Sequence, residues 1–583
     1  MLLVLALGLA YAGLVAADLV RIQRDLDAGQ GAIAGLDLAT VDADGGLAAV
    51  VDRAADRLEA AEDRARSSPW LSVLAPVPVV GDQVETVRDL TGIAAGLGRD
   101  GRQAAERLEV ALDAGGGGAG RVRLAEVATE VLDDLRVQVE AVTVPDRGPL
   151  LPPLAAARAD VEGQLLEARL DLERGVRLAT GLRSFLDGPR RYLILGGNNA
   201  EMRSVAIPTT SGIATVGGGS IAVGEFSEAT CCDAQGVELT FPGVPVPEAY
   251  TEVHGFLNGA QGYRTTVTSA NWPLTAEIMA DITERNVYGP VDGIIYVDTV
   301  TLANLLRVIG PVTVDGVEYR DDNVLEELLY RNYLRFDDPA VTDARRDAQS
   351  RVARTVFDAL ETRDYSVTEL AGVLSNLARS RHLQAWAEDP AENDLWEAFG
   401  ANRELGPDDL LVTTQELGAS KLDWFTTTAV DVEVEDQDDH HQVTLGITLA
   451  NPEHGETTAY IDGGGIYADP GEWGAWLLTY LPADAYDIVN LDPGFTTAGT
   501  DGPATVVGMI VRVPEGETLD IEISFKVPKG RRPLHVLPAA RVNGSLWTYD
   551  GEAVSDVLPF DLDLDDRRIV ADPRLYVTLP DDE

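Results

Sequence analysis

The spacing of apolar residues changes twice along this chain, and those two changes limit the possible folds more than any motif does. From Leu47 the pattern is helical, with Leu47, Val50, Val51, Ala54, Leu58 and Ala61 on one face and Asp, Glu and Arg on the other. Leu74-Ala-Pro-Val-Pro78 and Gly81 interrupt it, and a second run follows with Val84, Val87, Leu90, Ala94 and Leu97. A glycine cluster at Gly115–Gly118 separates a third run (Leu124, Val127, Val131, Leu135, Val139), and prolines at 145, 152 and 153 precede a fourth (Val161, Leu165, Ala168, Leu172, Val176, Leu182). Each helix has a single apolar stripe, so the helices must bury those stripes against one another as a bundle or stalk.

At Arg191 short apolar runs replace the stripes. Tyr192–Leu195 reads as a strand, Ile213–Val216 and Ile221–Val223 as a hairpin around Gly217–Gly219, and Asp292–Asp298 as a buried strand between carboxylates. Helices are expected over Leu274–Arg285 and Thr301–Val308, and Asp315-Gly316 marks a tight turn within Val312–Val317. Strands alternating with helices make this an α/β domain. From Asp408 apolar and polar residues alternate in Ala429–Val434, Gln442–Thr448, Ala504–Val507, Met509–Arg512 and Leu519–Phe525, which predicts a β-sandwich. The expected architecture is therefore multidomain: a transmembrane anchor over 1–20, a helical stalk over 21–188, an α/β core over 189–405 and an all-β sandwich over 406–583. The anchor rests on Met1–Ala17, which carries no charge and is extended by Leu19 and Val20, close to the minimum of about 17 residues for a spanning helix. A secretory signal cleaved after Ala10-Tyr11-Ala12 has a similar composition, and Arg21 and Arg24 mildly oppose an outside C-terminus. The stalk that follows favours an uncleaved anchor with the bulk of the chain outside the cytoplasm.

Charge narrows the partners. Lys and Arg total 46 against 96 Asp and Glu, a net charge of −50, with only Lys421, Lys526 and Lys529 as lysines. Such a field repels phosphate backbones, so nucleic acid is not an expected partner. The two cysteines are adjacent, Cys231-Cys232, too few for a disulfide framework; two unpaired thiols are simpler than a strained vicinal bridge.

Four motifs occur in order between Tyr192 and Phe399: Asn198-Asn199-Ala-Glu201-Met-Arg203, Asn271-Trp272-Pro273, Asp292-Gly293-Ile294 and Gly310-Pro311-Val312. In these the stretch resembles the bacterial and archaeal family catalogued as domain of unknown function 4012, whose members also place a helical stalk behind one membrane span. The Gly-Gly pair that often follows the family's arginine is replaced here by Ser-Val-Ala-Ile-Pro after Arg203.

More faintly, Asp292–Val312 and the helix opened by Ala344-Arg345-Arg346-Asp-Ala-Gln349 resemble the LytR-CpsA-Psr family, which moves glycopolymers from polyprenyl pyrophosphate onto the cell wall. That resemblance implies an envelope protein that binds, or with a rebuilt site transfers, polyprenyl-linked glycopolymers. It makes Arg203, Arg345 and Arg346 phosphate ligands, with Glu201, Asn198 and Asn199 beside them; forked guanidinium donors suit phosphate oxygens. Transfer would need a magnesium ion on carboxylates, but the family's two aspartate positions read Asn198 and Val205 here, and its Ser-x-Pro-Arg-Asp motif is missing. No cofactor is expected. The residues taken alone admit plainer roles: an Arg203–Glu201 ion pair, a solvated Arg345-Arg346 pair, and Asp292 and Asp298 as turn and cap residues. His440-His441 point to opposite faces of a strand and do not suit one metal. The competing expectation is a non-catalytic envelope scaffold.

Overall fold

The computed structural model describes residues 18–29, 46–113, 118–229, 244–257, 261–285, 288–336, 342–490 and 494–577, with Val15 and Gly31; the side chains of residues 113 and 342–347 are outside that description. Cys231-Cys232 and most of the Gly115–Gly118 cluster also lie outside it. The chain forms two compact units, one holding the residues up to Gly188 with the short pieces Gly218–Ser220 and Ser366–Gly372, the other holding the rest.

The first unit is a helical bundle of α1 (Leu47–Ser67), α2 (Pro69–Leu74), α3 (Val80–Asp113), α4 (Gly118–Ala141) and α5 (Pro152–Asp187). The stripes predict its interior: Val50, Ala54, Leu58 and Ala61 are buried, as are Val84, Val87 and Leu90. Small residues let α1 and α3 approach closely, and a Cβ on Gly98 would stand 3.2 Å from the Ala55 backbone. Residues 18–29 are also helical, and Ile22 is buried with Ala61, Leu71 and Val84.

The expected N-terminal transmembrane helix is corrected here. Among the described residues no helix is long and apolar enough to cross a membrane. The helical stretch 18–29 carries Asp18, Arg21, Arg24, Asp25 and Asp27, and Asp25 pairs with Arg64 of α1 at 3.0 Å, as befits a bundle helix. Met1–Ala17, Val15 apart, lies outside the described residues.

The second unit starts with β1 (Arg190–Met202), β2 (Ala206–Gly217), β3 (Ser220–Val223), β4 (Gly293–Asp298) and β5 (Leu383–Ala387) in the order β3-β2-β1-β4-β5. Only β1 and β4 run parallel, from Tyr192↔Gly293 to Gly197↔Asp298. Helices α6 (Trp272–Glu284), α7 (Thr299–Ile309) and α8 (Thr342–Thr362) complete the α/β core. Asp298 caps α7 by accepting from Thr301 N at 3.0 Å, and the Asp315-Gly316 turn has φ of 51° and 82°, as a two-residue hairpin requires.

The sandwich is built from β6 (Asp409–Glu416), β7 (Thr427–Asp436), β8 (His440–Asn451), β9 (Trp473–Leu481), β10 (Ala504–Val513) and β11 (Glu517–Pro528) with shorter strands. One sheet runs Tyr486–Val489, β11, β8, β7, Leu546–Tyr549, Glu552–Ser555; the other runs Thr497–Asp501, β10, β9, β6, Leu534–Val536, Phe560–Asp563, Arg568–Val570. Their facing sides share one core, with Leu445, Ile447 and Phe525 against Trp473, Leu477 and Val511. The outer side of the second sheet is buried as well: Leu411, Trp476, Leu478 and Tyr480 pack on Val253, Ala270 and Leu405.

Candidate functional site

β1, 13 residues long, is more than three times the length of the Tyr192–Leu195 run that marked it, because most of the Asn198–Arg203 motif continues it. Register shifts against β2 at Gly196/Gly197 and between Asn198 and Met202 break the ladder, and such bulges bend a strand and re-aim its side chains. The strand's end thereby meets the sandwich. Met202 N donates to Asp423 Oδ2 at 2.8 Å, and Asn198 Nδ2 donates to the Tyr333 hydroxyl.

The centre of this joint is the buried Glu201 carboxylate, with Lys421 Nζ 2.8 Å from Oε1 and Arg264 3.4 Å from Oε2. Burial by itself would raise the Glu201 carboxyl, but Lys421 and Arg264 outweigh it and hold the group below its usual range. Burial likewise works to lower the Lys421 ammonium, and Glu201 with Tyr333 and Tyr460 more than reverses that. The ammonium lies over both rings, 5.4 Å from the Tyr333 centroid and 4.6 Å from that of Tyr460, which stack on each other. Three further buried ionisable groups complete the network: Asp423 pairs with Arg541 at 3.1 Å, and burial raises Glu416 to about 7.

Arg203 belongs to this joint. Half-buried, its Nη1 donates to the carbonyl oxygens of Glu416 and Met202. Burial lowers the guanidinium, and the charge of Glu416 is the strongest influence against that shift. The Arg203–Glu201 pair weighed from sequence is thus supplanted by Lys421 and Arg264. Asn199 turns to the core, donating to Asp298 Oδ2 at 2.7 Å and accepting from Thr299 N at 3.0 Å. His382 Nδ1 is 2.5 Å from the same Asp298 oxygen.

The residues standing where a magnesium site is implied do not fit that ion. Glu201 is already neutralised by two cations, the Asn198 amide is engaged with Tyr333, and Val205 is a core residue.

A pocket opens elsewhere, at the bulge in the middle of β1 and the carboxyl end of β4, the strand end outside which open α/β sheets commonly bind ligands. Gly196, Gly197, Asn198, Asp298 and Thr299 form its floor, and Gln349, Ala353 and Phe357 of α8 form one wall. Phe226 stacks on Phe357 at 6.2 Å. The enclosed space is about 60 Å3, room for a few waters or one small group. Arg203 is not among its lining residues. Arg345 and Arg346 open α8, Arg345 one helical turn before Gln349, and their side chains lie outside the described residues.

Sequence reasoning missed Lys421, Asp423 and Arg541. A usable signal existed, since Lys421 is one of only three lysines and stands in an otherwise uncharged run, Leu417-Gly-Ala-Ser-Lys-Leu422.

Residues 187–333 match the family described as "Protein of unknown function (DUF4012)". The match covers about a quarter of the chain and supports the resemblance that the motifs carry. No curated protein matches the chain. Among solved structures, the crystal structure of protein gbs0355 from Streptococcus agalactiae is 13% identical and covers 36% of this chain and 73% of its own, at a TM-score of 0.23. So low a score carries no argument about fold or function.

Proposed function

We propose that this protein is a non-catalytic scaffold of the cell envelope, in which the Asn198–Arg203 motif locks the α/β core and the β-sandwich into one body. The observation that carries this reading is the buried Glu201 carboxylate held between Lys421, preceding the sandwich strand β7, and Arg264 of the core. Glu201 and Asn199 direct their polar groups to contacts inside the protein, and Arg203 donates its Nη1 to the Glu416 carbonyl. Placement outside the cytoplasm rests on the family resemblance, and protease added to intact cells should then remove a C-terminal tag. For the site, the test is Arg203→Ala. The scaffold reading expects lower stability and unchanged binding of a polyprenyl pyrophosphate analogue per folded molecule. A folded variant that binds the analogue tenfold more weakly would overturn it.

A second reading is favoured by the pocket at the β1 bulge and the end of β4. Its apolar wall of Phe226, Leu302, Leu328 and Phe357, with Arg345 a turn before Gln349, suits a lipid-linked anion such as a polyprenyl phosphate. The small enclosed space ranks it second. If it holds, Arg345→Ala with Arg346→Ala weakens binding of the same analogue about ten- to a hundredfold, the worth of a charge-assisted contact; unchanged binding excludes it.

A further inference from the structure

The apex of the helical bundle is apolar where it should be wet. Residues 67–81, Ser-Ser-Pro-Trp-Leu-Ser-Val-Leu-Ala-Pro-Val-Pro-Val-Val-Gly, carry no charge in a chain where 24% of residues are charged. α2 and the turn into α3 bury one part of this run: Leu71 sits in the bundle core, with Leu74 and Ala75 packed against it. The other part faces outward. Trp70 is 36% exposed, Val73 63%, Val77 42% and Val79 68%, and Leu151, ahead of α5, is 62% exposed. Leu151 belongs to the same end, because its N–H donates to Gln83 Oε1 at 2.9 Å, one turn into α3.

Two more observations say what covers this surface. Val79 has φ of 68°, a conformation a β-branched residue adopts only under constraint and one that tends to mark functional positions. Asp18 Oδ2 accepts from Ser68 Oγ at 2.7 Å, which ties the helical stretch 18–29 to this apex. An exposed patch that carries a tryptophan and valines without any charge fits the boundary between lipid headgroups and acyl chains, where Trp concentrates and apolar side chains bury about 5–10 Å deep.

We propose that the Ser68–Val80 apex, with Leu151, is a membrane-contact surface that seats Trp70, Val73, Val77 and Val79 in the interfacial layer of a bilayer. With a net charge of −50, the lipid it fits is electrically neutral, and anionic headgroups oppose the contact. The inference concerns the first unit and stands independently of the scaffold reading.

The full-length protein is mixed with phosphatidylcholine vesicles brominated near the top of the acyl chains. Trp70 emission is isolated as the difference between wild type and Trp70→Phe. The expected result is a blue-shifted, quenched Trp70 signal, with quenching lost in the Val73→Asp/Val77→Asp double variant and reduced when anionic phosphatidylglycerol replaces part of the lipid. Circular dichroism and the emission of the remaining tryptophans confirm that both variants are folded. Unquenched Trp70 emission overturns the proposal, even if the chain sediments with the vesicles through Met1–Ala17. So does a Trp70 signal that changes only with protein concentration, which assigns the surface to a second copy of the chain.

Discussion

Two strands of the sandwich, β8 and β9, were written in different patterns for a physical reason. β8 (His440–Asn451) alternates buried and half-exposed residues along its whole length, whereas every residue of β9 (Trp473–Leu481) is buried. β8 lies in the first sheet, with one face on the sandwich core. β9 lies in the second, and sends Trp473, Ala475, Leu477 and Leu481 to the sandwich core but Trp476, Leu478 and Tyr480 to the α/β core. Alternation shows that a sheet has a wet face. A continuous apolar run shows that another layer covers it. The sandwich is therefore the third layer of a larger stack rather than a separate module.

Breaking that stack at its buried layer should have the largest effect. Trp476→Ala is expected to cost about 3–5 kcal/mol, by lost burial plus the cavity left between sheet and core, read as a fall in urea midpoint. Next comes Lys421→Met, at about 3 kcal/mol or more, since it strands the Glu201 carboxylate in a buried site. Replacing both partners with apolar residues should recover much of that loss, and a double variant no better than Lys421→Met would count against the joint. Glu416 gives a pH signature of about 1–3 kcal/mol. Its native value of about 7 lies above its ordinary 4.5, so the folded state holds the proton more tightly. Stability from this group is fullest below about 4.5, falls as pH rises to about 7, and is flat beyond; Glu416→Gln should abolish that slope. Glu201 acts in the opposite sense: its depressed native value stabilises above the unfolded value and the benefit disappears as pH falls through the folded one. The smallest effect belongs to the wet face: Thr444→Ala on β8 should stay within about 0.5 kcal/mol.

The same contrast explains what was legible in the sequence. The bundle helices were, because each buries one stripe, and so were β7, β8 and β11, because each keeps one wet face. β6 and β9 were not: Asp409–Glu416 and Trp473–Leu481 are buried on both sides, which removes the alternation that marks a strand. The motif residues stand together in sequence, but their partners Lys421 and Asp423 lie more than two hundred residues downstream. Arg203 in isolation has the chemistry of a phosphate ligand; only the position of the Glu416 carbonyl shows where its donors go. The run Met1–Ala17 could be read only as composition, whereas residues 18–29 reveal themselves as a bundle helix through the Asp25–Arg64 pair.

The long strand β1 also bears on how the protein is made. Glu201 leaves the ribosome 220 residues before Lys421, and Met202 leaves 221 residues before Asp423. At about 5–20 residues per second of synthesis, the nascent core spends roughly 10–45 s with its edge unfinished. Throughout that interval an acid designed for burial has no counter-ion from the sandwich, and the hydrophobic surface awaiting the second sheet is open to solvent. Burial of the core is thus completed only once the last third of the polypeptide has been made.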